Sequence, residues 1–168
     1  MNIATVRNFN LWRTVMIDVA LLAVACLIPT LTHLFALPLY QLNPMLLVLL
    51  TGMLLVENRL NGFVLAILLP VVSMLAVGMP APAKAFCMAV EFSMVIFASG
   101  LLLSRCRSRL AVFGAMVAAM LCGKVVYYGL KALIMAPSVL VTTPVLTQFL
   151  VVVAAALLFA LFAKRQSI

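Results

Sequence analysis

Long apolar runs, interrupted at short intervals by charges, Asn, Gly and Pro, set the pattern of the chain. Six such runs cover about residues 14–28, 44–56, 60–77, 83–103, 110–135 and 144–163. A helix rising 1.5 Å per residue needs about 20 apolar residues to cross a bilayer. The pattern therefore predicts an all-α integral membrane protein, a single domain over residues 1–168 built as a bundle of six transmembrane helices. The second run is short, and Pro70 in the third removes a backbone donor, so a kink or break is expected there. In the fifth run Gly114, Ala118 and Cys122 recur every four residues, as do Ala115, Ala119 and Gly123, and small residues at that spacing let helices approach closely. Ala154, Ala155, Ala156 and Ala160 predict the same for the sixth.

Composition agrees with this reading and narrows the function. Hydrophobic residues make up 68% and charged residues 8% of 168 positions, and the mean hydropathy is +1.34. Globular domains carry about a quarter charged residues, so a soluble enzyme, a disordered tail and a disulfide-stapled secreted domain are excluded. About six spans exhaust the length, which leaves no room for an extramembrane energy-converting domain.

The net charge of +8 is explained by topology. With the N-terminus cytoplasmic, Arg7, Arg13, Arg59, Arg105, Arg107, Arg109, Lys164 and Arg165 all fall inside, and Lys84 alone lies in an outer loop. That distribution obeys the positive-inside rule, places both termini in the cytoplasm and argues against nucleic acid as a partner. Trp12 is expected as an interface anchor. Cys26, Cys87, Cys106 and Cys122 form no CxxC pair and are expected to be structural thiols, with no metal bound. Arg7, Arg13 and the apolar stretch ending at Cys26 are similar to a lipoprotein signal; Asp18 within that stretch, and Ala23 where a larger aliphatic is usual, depart from it.

Four ionisable residues interrupt the spans, and each costs roughly 2.5 kcal/mol or more at mid-membrane unless it has a partner or a ligand. Asp18, about one turn into the first span, is expected to pair with the basic cytoplasmic rim. On the helical rise, Glu91 lies about 12 Å below the outer surface, Lys131 about 6 Å and Lys124 about 16 Å. Lys124, Tyr127, Tyr128, Lys131 and Met135 share roughly one third of the helix circumference, so one face joins two cations to two phenols. If Glu91 neutralises one lysine, the other is left to attract an acidic ligand; the alternative is a pair that only fixes helix register, with Lys131 reaching outward to the surface. The outer loops add Thr30, Thr32, His33, Tyr40, Gln41, Asn43, Thr142 and Thr143, and the sixth span adds Gln148.

No enzyme signature accompanies these groups. The chain has no HExxH pair and no GxSxG elbow, and Gly123-Lys124 is no P-loop because Ala118 and Val125 replace its glycine and its hydroxyl residue. One histidine and three acidic residues leave few actors for acid–base chemistry. No catalytic activity and no cofactor are expected.

Several of these positions together resemble a known family. Asn43-Pro44, Thr51-Gly52, Asn61-Gly62, Pro70, Gly78-Met79-Pro80-Ala81-Pro82, Met88-Ala89-Val90-Glu91 and Gly123-Lys124-Val125-Val126-Tyr127 are similar to the S component, the substrate-capturing membrane subunit of energy-coupling factor (ECF) vitamin transporters. The resemblance covers roughly residues 40–135, and the Gly-Met-Pro-x-Pro turn followed by the membrane glutamate is its most specific part. It implies a six-helix bundle in the bacterial cytoplasmic membrane, binding one small vitamin-like molecule near the outer face between the first outer loop and helices four to six. It further implies a T-type transmembrane coupling protein and two ATPases as partners. Where many members carry Ala-x-x-x-Ala in the first helix for docking, this chain has Ala20, Ala23 and Ala25, and its Glu57-Asn58-Arg59 turn is more polar than the usual Gly-Pro type. On this reading Lys124 and Lys131 hold the acidic group, Tyr127, Tyr128 and Gln148 donate or accept hydrogen bonds, and the loop with His33 and Tyr40 closes over the ligand. The alternative of the same layout is a six-span rod-shape scaffold subunit that binds no solute. That family usually carries an aspartate near the end of the third span, where this chain has Val77-Gly78-Met79-Pro80.

Overall fold

The computed structural model describes residues 3–35, 43–56, 58–134 and 144–163, and within the first helix the side chains of residues 11–28. Six helices follow one another: α1 (Ile3–Phe35), α2 (Pro44–Leu55), α3 (Arg59–Val77), α4 (Pro82–Leu103), α5 (Arg109–Ile134) and α6 (Val145–Phe162). No strand occurs among the described residues. Five of the helices are long and apolar enough to cross a membrane. The exception is α2, whose 12 residues reach only about 18 Å at the helical rise.

α4 packs between α3 and α5, α1 lies on α2 and α3, and α6 packs on α5 and touches α2, so α2 closes the ring from inside. That placement explains a short helix with no polar face: Leu46 and Leu49 are fully buried, together with Leu65, Leu69, Phe92, Met116 and Met120 from the neighbouring helices. The outside of the ring is equally apolar, with Val125, Leu75 and Leu133 exposed at 72%, 75% and 84%. Monomeric soluble proteins rarely show contiguous apolar patches beyond a few hundred Å². A belt of this kind is compatible with a multi-pass membrane protein whose solvent on that side is hydrocarbon.

Helix ends are set by local chemistry. Asn43 adopts the left-handed conformation (φ 45°) as N-cap of α2, a geometry in which Asn is several-fold enriched, and its carbonyl accepts from Leu46 N–H at 3.0 Å. Asn58 caps α3 by accepting from Leu60 N–H at 3.0 Å, and Ser108 caps α5 by accepting from Ala111 N–H at 3.1 Å. Gly78 ends α3 at φ 73°, where a side chain would be strained, and Ser73 Oγ donates to Met79 O across the turn at 2.8 Å.

Two expectations are corrected. α1 is 33 residues long, although only 11–28 forms its apolar window, so Thr30, Thr32 and His33 belong to the last turns of a helix and not to a loop. At about 50 Å it is longer than the hydrocarbon core, and its polar first turns continue the helix beyond the apolar run. Of the kink or break expected at Pro70, the break does not occur: α3 runs unbroken through that buried residue.

Candidate functional site

The site begins with a close approach of α4 and α5. Ala115, Ala119 and Gly123 form a buried strip on α5, whereas Gly114 and Ala118 of the parallel strip face outward, so only one of the two small-residue stripes packs. At Gly123 a Cβ would lie 2.6 Å from Val95 Cγ2 and 3.1 Å from the Glu91 carbonyl oxygen. Only a hydrogen fits there, and the adjoining Lys124 is thereby delivered to the level of Glu91. The two side chains form an ion pair of 2.7 Å, with Glu91 2% and Lys124 18% exposed.

One turn further along α5, the buried Tyr127 ring lies close to two ammonium groups. Lys124 Nζ is 5.4 Å and Lys131 Nζ 5.7 Å from its centroid, both within reach of the ring's negative face. Lys131 is 3% exposed; it turns into the bundle and does not reach for the surface. Lys84, exposed in the first turn of α4, acts on it as a like charge. Cys87 lies buried on α4 one turn before Glu91. Tyr128 meets Tyr127 edge to face, centroids 5.3 Å apart, and its hydroxyl donates to Gln148 Oε1 at 2.7 Å, tying α5 to α6.

Glu91, Lys124, Tyr127 and Lys131 thus form one group between α4 and α5, and Tyr128 with Gln148 extends it to α6. Three lysines meet a single carboxylate at this end of α4 and α5 among the described residues, so the group carries a net positive field in a low-dielectric setting. Asn43 serves as a helix cap, and no described contact joins it to the group. The His33 side chain, and Tyr40, Gln41, Met135, Thr142 and Thr143, lie outside the described residues.

Asp18 has a partner that sequence reasoning missed. Its Oδ1 accepts a hydrogen bond from Asn61 Nδ2 at 2.9 Å, linking α1 to α3, and among the described residues it forms no ion pair; Lys164, Arg165 and the Arg7 side chain of the basic rim lie outside them. Asn61 was the signal to use: it is a polar residue in the first turn of an apolar helix, at the depth of Asp18. Among the described residues no group of His, Cys, Asp and Glu is placed to hold a metal. The chain matches no family model, no curated protein and no solved structure at a level that indicates relationship.

Proposed function

We propose that the chain is the substrate-capturing subunit of an ECF-type importer, multi-pass in a bacterial cytoplasmic membrane, with both termini inside and the Glu91–Lys124 group in the outer half. The observation that carries this reading is the buried 2.7 Å ion pair set beside a second buried lysine and a phenol on one helix face. The pair fixes Lys124 on α5, and Lys131, 3% exposed, is held on the same helix face so near a surface it is long enough to reach. A small ligand with a carboxylate or comparable acidic group would make use of that concentration of positive charge.

In this reading Glu91 holds Lys124 and keeps its face of α5 in register, Lys131 supplies the charge that recognises the acid, and the Tyr127 hydroxyl donates to it. Tyr128 and Gln148 border the same space from the α5–α6 side and set its polar edge. ATP hydrolysis belongs to two ATPase partners, reached through a T-type coupling protein.

The test is mass spectrometry of small molecules released on denaturing the protein purified in mild detergent. A single acidic metabolite in near-stoichiometric amount is the expected result, with a coupling protein and ATPases captured under gentler extraction. Release of nothing, together with co-purification of cell-wall synthesis proteins, would replace the reading by that of a rod-shape scaffold subunit.

A further inference from the structure

A cavity of about 870 Å³ opens at the opposite end of the bundle, where α2, α4 and α6 end and α3 and α5 begin. Its mouth carries Arg59, Arg107 and Arg109, and its floor is apolar, built from Leu54, Ile96, Leu103, Val112 and Phe159 among others. Ion pairs at a membrane surface need only solvated arginines, but these three border an open cleft with an apolar floor. The room for Arg59 comes from Gly100, where a built Cβ would already lie 3.4 Å from Cζ and Nε of the guanidinium. No described carboxylate lines the cavity. The first turns of α3 and α5 are already capped by Asn58 and Ser108, so the arginines are the groups left to bind an anion.

We propose that this cleft binds the headgroup of an anionic phospholipid, with one acyl chain lying on the apolar floor. The chemistry follows from the two-part lining. A guanidinium offers a planar fork of N–H donors that matches phosphate oxygens, and basic pockets between transmembrane helices take phospholipid headgroups. A free phosphate would satisfy the arginines but leave the apolar floor wet, whereas an amphiphile covers both. The volume lies in the range of ordinary ligand sites, and the cleft sits at the end of the bundle where the positive-inside rule puts the cytoplasmic leaflet. The inference stands apart from the ligand of the outer half, because it uses none of that group's residues.

The experiment is native mass spectrometry of detergent-purified protein titrated with phosphatidylglycerol, phosphatidylcholine, or glycerol phosphate. Phosphatidylglycerol is expected to form a saturable adduct that glycerol phosphate does not displace and that phosphatidylcholine forms only weakly. Arg59→Gln and Arg107→Gln are each expected to weaken it about fivefold, the typical worth of one basic residue near an anionic membrane surface. Arg105→Gln is the control, since Arg105 lies in the same link but does not line the cavity, and its adduct is expected to match wild type. Gly100→Leu, which keeps every charge but fills the space beside Arg59, is expected to reduce the adduct at unchanged melting temperature. Equal losses in Arg105→Gln and Arg59→Gln would mean generic surface attraction and overturn the proposal. Displacement by glycerol phosphate would overturn it in favour of a soluble phosphate compound.

Discussion

The two ends of the bundle both carry excess positive charge, and they handle it in opposite ways. At the end where α4 begins, Lys124 and Lys131 are built into a helix face, one pressed against a buried carboxylate at 2.7 Å and the other folded over a tyrosine ring. At the other end, Arg59, Arg107 and Arg109 sit exposed in links and first turns around an open cleft. A charge in a link costs little and its position tolerates change, so it records orientation; a charge in a helix face must be matched atom by atom, so it records a specific contact. Substitutions at the two ends should therefore separate cleanly into large and small effects on stability.

Glu91→Leu is expected to have the largest. It leaves Lys124 partly buried beside Tyr127 with no counter-ion, at a cost of about 3 kcal/mol, visible as a large drop in melting temperature in detergent. Adding Lys124→Leu should recover most of that loss, and failure to recover would break the claim that the loss comes from the orphaned Lys124 charge. Gly123→Ala follows at about 2 kcal/mol, because the added Cβ overlaps Val95 Cγ2 and meets the Glu91 backbone at 3.1 Å. Combining it with Val95→Ala should restore only part of the loss, since the backbone contact stays.

Asp18→Ala is expected to cost about 1 kcal/mol through the lost bond to Asn61, with Asp18→Asn retaining most of it and added salt making no difference. A strong salt dependence would restore the ion pair with the basic rim. The smallest effect is expected at Gly114, where a Cβ meets nothing within 4 Å. Gly114→Ala should stabilise by up to about 0.5 kcal/mol through helix propensity, opposite in sign to the same change nine residues on.

The comparison also marks what the chain discloses before it folds. Spans were legible because hydropathy is a local property: α2 to α6 begin and end within a residue or so of the apolar runs. α1 was legible only in its middle, since residues such as Arg7, Asn8 and Asn10 continue a helix without any hydropathy signal. Pairing Glu91 with a lysine could be read from helical rise alone, because depth in the membrane is a one-dimensional coordinate. Which lysine it takes could not, as that depends on how Gly123 lets α5 press onto α4. The same limit hid Asn61 from Asp18 and hid the basic cleft, whose walls come from five segments that meet only at the end of the bundle.

The most direct test of the proposed ligand site is the amount of acidic metabolite released per chain by wild type and by Lys131→Met, purified identically and matched for melting temperature. A near-stoichiometric release from wild type and almost none from Lys131→Met is the predicted result. Equal release from both would show that Lys131 does not recognise the acid and would contradict the account.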